Sequence, residues 1–298
     1  MSERDIAHSM DRLLSPLTTR LTQFPGMPLA GLYTWNFSPP VLTTIALAGG
    51  VYAWRLHDLR RAGAVRSGGD SWRAAAFTWG LVVLLVALVS PIDRIGEERL
   101  FSMHMVQHLL LADLAPILLL LGLSRAMLRP AVRRLRPVEE ALGPLAHPAV
   151  ALGAYVGLMW LWHVPAMYDL AIDHTWAHVL EHASFFAAGI AFWWYLIEPV
   201  PPRHRLRGPW PLAYLSAAKL LMGALGVVLA FAPDVSYDAY KDVPRTWGLS
   251  PLEDLNIGGV VMMVEQSLVL VVAFAIFFVR MLERAERDQQ TRERIEAR

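Results

Sequence analysis

The chain of 298 residues holds ten histidines and no cysteine, and five of those histidines form three pairs at one spacing. His104 and His108 are four residues apart, as are His174 and His178, and then His178 and His182; His163 stands alone. Residues four apart share one face of a helix, so each pair can chelate an ion, and an imidazole from a neighbouring helix can add a third ligand. Glu181, seven residues after His174, continues the same stripe. Without a thiolate, such a site can hold Zn, Cu, Fe or Ni through imidazole. Met103 and Met262 are thioethers, which select Cu(I), although methionine is equally at home filling a core. The expected ligands are therefore His104, His108, His163, His178 and His182, helped by Met103 or Met262. Glu181 and His174 stand beside them. His174, nearest a loop, is as easily a residue of the lipid headgroup level.

The elements that must carry these residues are membrane helices. Hydrophobic residues make up 55% of the chain and charged residues only 18%, below the roughly 25% of a soluble domain. Seven stretches, near 39–57, 73–90, 100–122, 147–168, 174–197, 210–232 and 256–280, are long and apolar enough to cross a bilayer. None alternates as barrel strands do. The sequence thus predicts an all-α, polytopic seven-helix bundle over residues 39–280. Residues 1–38, with no apolar core, are expected to be an external arm rather than a cleavable signal. A charged tail over 281–298 and a short basic surface helix over Arg125–Arg136 complete the layout. Nineteen of the 27 Lys and Arg lie on one side of these spans and seven on the other, with Lys219 inside one. The positive-inside rule then puts the N-terminus outside and the C-terminus in the cytoplasm of a bacterial cytoplasmic (inner) membrane. The six histidines fall in the outer half. Trp35, Trp160, Trp162 and Trp176 fall near outer helix ends, and Trp54, Trp72, Trp193, Trp194 and Trp210 near inner ends, as interfacial belts would. A net charge of +1 gives no case for nucleic acid, and none is expected as a partner.

Three charges fall at mid-depth: Asp113, Lys219 and Glu265. An unpaired charge there is expensive, so a Lys219–Glu265 pair is expected, with Asp113 neutral or paired to Lys219. The group reads either as an ion pair fixing helix register or as a polar path for protons or ions. Gly223, Gly226, Gly258 and Gly259 are expected to permit close helix approach.

Several spaced motifs resemble the CtaG-type cytochrome c oxidase assembly factors found with bacterial caa-type oxidases. They are Met103-His104-Met105-Val106-Gln107-His108, His147-Pro148, Trp162-His163-Val164-Pro165 with Tyr168-Asp169, His178-Val179-Leu180-Glu181-His182, Phe192-Trp193-Trp194, and Asp254 with Gly258-Gly259 and Met262. The resemblance covers about residues 40–280. Leu255 and Met263 depart from the family pattern, which is similar to Asp-Gln and Met-Trp at those places. It implies a non-enzymatic factor needed to make active haem–copper oxidase, with the handling of a copper ion as its expected means. Its partners would be the lipid bilayer, a cytochrome c oxidase subunit and a periplasmic copper donor. Asp254 would then stand behind the ligands. Three readings stay open beside it: a zinc-dependent intramembrane hydrolase with Glu181 as general base, a metal-free assembly scaffold, and haem held between the third and fifth spans.

Overall fold

The computed structural model describes residues 33–64 and 71–296, so the expected arm lies outside the described residues as far as residue 32. Among the described residues every regular element is helical. In chain order these are α1 (Pro39–Arg61), α2 (Ser71–Val89), α3 (Pro91–Glu98) and α4 (Phe101–Leu109). The last runs through a π turn (Leu110–Leu114) into α5 (Ala115–Gly122). Then come α6 (Arg125–Leu142), α7 (Pro148–Trp162), α8 (Pro165–Asp173), α9 (Thr175–Ile197), α10 (Trp210–Ala230) and α11 (Pro251–Glu296). Proline opens most of them. Its missing N–H is no loss in a first turn, and its fixed φ suits the helix start. Several starts are also capped by side chains, among them those of α3 and α7. Ser90 Oγ accepts from the Ile92 N–H at 3.2 Å, and His147 Nδ1 accepts from the Ala149 N–H at 3.1 Å.

Among the described residues, four helical stretches are long and apolar enough to cross a membrane: Ser71–Glu98, Phe101–Gly122, Trp210–Ala230 and Pro251–Glu296. A fifth is added if Glu140–Ala146 and Pro148–Trp162, bent by 61°, form one span. The shortfall from seven has local causes. The stretch expected over 147–168 breaks at Val164, which is extended (φ −64°, ψ 128°) because Pro165 disfavours helical geometry in the residue before it. α7 is left with 15 residues and α8 with nine. α1 and α9 have 23 residues each but fall short in apolarity. In α9 the reason is the polar stripe itself. His178, Glu181 and His182 are buried while Val179 and Leu180 are 63% and 52% exposed, so the polar face points into the bundle. α11 continues without a break to Glu296, carrying the charged tail as helix. Two tryptophans expected at interfaces are instead buried donors: Trp162 Nε1 to Ser184 Oγ (3.0 Å) and Trp193 Nε1 to Asp113 (2.8 Å).

α9 packs against the α4–α5 helix at its π turn, and this crossing aligns the two histidine stripes. Gly189 makes it possible, since a Cβ there would lie 2.2 Å from the Ala112 carbonyl oxygen. Gly226 and Gly259 allow a similar approach of α10 and α11, and Gly258 receives the Phe101 ring; Gly223 has nothing near its Cβ direction and plays no such part. Gly189→Ala is expected to lower stability by about 1–3 kcal/mol, the usual cost of overpacking. Gly157→Ala, facing open space, should be neutral or stabilising, since alanine is the better helix former by about 1 kcal/mol. Thermal unfolding in detergent compares the two.

Candidate metal centre

α4 and α9 bring the imidazoles together. His104, His178, Glu181 and His182 are all buried, and one ligand atom from each lies within 4.8 Å of the others. His104 Nε2 is 3.8 Å and His108 Nε2 3.6 Å from the two oxygens of Glu181, beyond hydrogen-bond range. The rings of His178 and His182 are centred 4.1 Å apart, and those of His104 and His108 4.3 Å apart. Ligands around a tetrahedral ion with bonds near 2.0–2.2 Å stand roughly 3.4 Å from one another. The spread of up to 4.8 Å in this donor set is wider than such a shell, so side chains would have to close in to hold an ion.

The polar bookkeeping supports the same conclusion. His104 Nε2, both nitrogens of His108, His178 Nε2, both oxygens of Glu181 and His182 Nε2 are buried without a hydrogen-bond partner. Each such atom costs about 1–3 kcal/mol, so together they cost on the order of 10 kcal/mol, as much as a whole domain's stability. A single ion could take one atom each from His104, His178, Glu181 and His182. Imidazole and carboxylate donors suit a borderline ion such as Cu(II) or Zn(II).

The neighbours orient these ligands. Tyr240 lies in the loop before α11, and burial pushes its phenol well above its ordinary pKa, so it keeps its proton. Its O–H donates to the Gly96 carbonyl at 2.7 Å, and its oxygen lies 3.3 Å from His104 Nδ1. With that hydrogen committed to Gly96, His104 Nδ1–H must donate to Tyr240. This tautomer leaves the Nε2 lone pair facing Glu181, the arrangement by which an outer hydrogen bond orients a metal ligand. Tyr168, 3.2 Å from Tyr240, and Asp169, accepting from the Ala239 N–H at 3.1 Å, hold that loop down. Glu97, at the end of α3, is partly exposed and lies 3.7 Å from His178 Nδ1, at the open end of the group.

The other expected site residues go to several places. His163 is buried one ring farther on, 5.8 Å from His108 between centroids. His174 is outside the cluster, exposed and stacked on Trp176. Met103 packs with Ile95, Leu100 and Leu249, and Met262 lies in the main core; Met105 is the thioether beside a histidine. Asp254 does not back the ligands. It caps the start of α4, accepting from the Phe101 N–H at 2.6 Å and the Ser102 N–H at 3.2 Å, and from the Ser102 hydroxyl. Asp254→Ala should therefore destabilise by about 1–3 kcal/mol, since two amides lose their acceptor. Metal affinity of the folded fraction should change little. Unfolding and metal titration on the same sample separate the two effects.

Deeper in the bundle, Asp113 is fully bonded. It accepts from Lys219 Nζ at 2.9 Å to both oxygens, from Tyr155 at 2.7 and 2.8 Å, and from Trp193. Glu265 is a second partner of Lys219 at 3.7 Å and accepts from Gln266. Both carboxylates therefore share the one lysine, with Asp113 nearer than Glu265. Sequence reading missed Glu97, Tyr168 and Tyr240 as neighbours of the cluster, and preferred Met103 to Met105, the other thioether flanking His104. Tyr168, like Met105, stands within the quoted motifs, whereas nothing in the spacing singles out Glu97 or Tyr240.

The family model described as cytochrome c oxidase caa3 assembly factor (Caa3_CtaG) matches residues 50–284. An uncharacterized protein of Mycobacterium leprae (strain TN) is 25% identical over 254 residues, covering 76% of this chain and 36% of its own length. One from Mycobacterium bovis is 25% identical over 217 residues, 66% of this chain and 32% of its own. The chain thus spans about a third of the length of the curated relatives it matches. No solved structure matches it.

Proposed function

The chain belongs to the cytochrome c oxidase caa3 assembly factor family, and from that premise we propose that it binds copper as cargo and presents it to an oxidase subunit during assembly. The copper is held by His104, His108, His178, His182 and Glu181. The observation that carries this reading is the convergence of these buried, unpartnered donor atoms from two helices. In this reading α1, α2, the α4–α5 helix, α7, α9, α10 and α11 cross the bacterial cytoplasmic membrane, N-terminus outside. The nineteen-to-seven division of basic residues supports that orientation. The cluster then lies in the outer half, with Glu97 at its mouth, where a periplasmic donor can deliver copper without its crossing the membrane. The chain's own residues bind and orient: Tyr240 sets the His104 tautomer, and Glu181 supplies negative charge to offset the cation's.

The test is oxidase assembly in cells carrying His104→Leu/His182→Leu at wild-type protein levels. Haem–copper oxidase activity should fall at least tenfold and recover with excess copper. Normal activity at limiting copper would overturn the copper reading and favour a metal-free scaffold.

A further inference from the structure

Next to the imidazole–carboxylate group lies a pair of atoms that cannot satisfy each other. His163 closes α7, and its Nδ1 is 2.7 Å from the Met159 carbonyl oxygen. A carbonyl only accepts, so Nδ1 carries the hydrogen and Nε2 of the neutral ring carries a lone pair. That lone pair faces Met105 Sδ at 3.2 Å. A thioether has no hydrogen to give, so two acceptors meet inside the protein, where Met105 is wholly buried and His163 is 5% exposed. A second proton on the ring would leave an isolated charge beside an uncharged sulfur, which is costly. A metal ion between the two atoms supplies the positive charge and takes both as ligands.

The surroundings hold both atoms in place. Tyr237 donates to the His163 carbonyl at 3.1 Å, fixing the peptide that bears the ring. Met105 is confined by α11, where Gly258 leaves room for it; a Cβ there would come 3.3 Å from Met105 Cγ. His108, with neither ring nitrogen partnered, stands between His163 and Glu181 and can serve either group.

We propose that Met105 and His163 form a second, soft metal site for a monovalent cation of the Cu(I) class, adjoining the imidazole–carboxylate site through His108. Nitrogen and thioether donors without carboxylate select Cu(I), whereas the Glu181 group suits divalent ions. The proposal rests on the copper reading for its native cargo, but its ligands are its own. The cluster would hold copper in a borderline environment and the Met105–His163 pair in a soft one, one ring away.

The test uses the full chain in detergent, loaded anaerobically with Cu(I) and studied by X-ray absorption. There is no cysteine, so any sulfur bound to copper comes from methionine. A sulfur neighbour is expected in the wild type. It should vanish in Met105→Leu, a volume-conserving change, and persist in Met103→Leu and Met262→Leu. Cu(I) affinity of Met105→Leu should fall at least tenfold while Co(II) binding at the Glu181 group stays unchanged. A wild-type spectrum without sulfur, sulfur that survives Met105→Leu, or sulfur lost in Met103→Leu or Met262→Leu overturns the proposal. Failure of the cluster reading would look different: Co(II) would not bind, whatever the sulfur signal.

Discussion

His104→Leu/His182→Leu is expected to lose divalent metal affinity by roughly four orders of magnitude without losing its fold. Four-ligand sites bind zinc with about 10–16 kcal/mol at neutral pH, or some 3 kcal/mol per ligand, so two ligands are worth about 10⁴-fold. His104 comes from α4 and His182 from α9, and the pair removes one imidazole from each stripe. The metal-free protein should suffer little, since each substitution deletes an unpartnered buried Nε2 and fills the space with apolar atoms, against the loss of one long His104 Nδ1–Tyr240 hydrogen bond. Without metal, the variant should melt close to the wild type; with metal, only the wild type should gain stability. Chelator competition and thermal unfolding with and without Zn(II) measure both. A variant that still binds within tenfold of wild type would show that the cluster is not a ligand set.

Lys219→Met is expected to cost the most stability, about 3–5 kcal/mol, because it leaves the Asp113 carboxylate buried without its cation. Lys219 and Asp113 are 2% and 3% exposed, and the group draws in the α4–α5 helix, α7, α9, α10 and α11. Lys219→Met/Asp113→Leu should recover most of the loss, since a buried ion pair can be replaced by apolar residues at little cost. Metal affinity should follow the fold, being unchanged in whatever fraction is native. Denaturation in mixed micelles reads the cycle. Equal loss in single and double variants would contradict the account, because it would mean that the charges do more than offset each other.

The histidine stripes were legible because helix periodicity alone puts residues four apart on one face, and Glu181 on that face came with them. The mid-depth charges were legible for the same reason, that lone charges in a span need partners. Which charge pairs most closely was not, since it depends on the π turn that carries Asp113, and hydropathy is blind to one inserted residue. Choosing among methionines was also beyond spacing. Met103 and Met105 flank His104 equally in sequence, and only the tertiary fold, which brings the residue closing α7 to α4, puts Met105 at His163. The role of Asp254 was misjudged because a cap offered from a helix 150 residues away leaves no local pattern. Val164–Pro165 did carry a break signal, but the apolar run around it outweighed the proline in a window read for length.

The most direct test is the metal content of the detergent-purified chain from copper-replete cells, read against His108→Ala/His178→Ala prepared the same way. Copper in stoichiometric amount in the wild type and its loss from the double variant is the predicted result. Zinc or haem in place of copper, or copper unchanged in the double variant, would contradict the account.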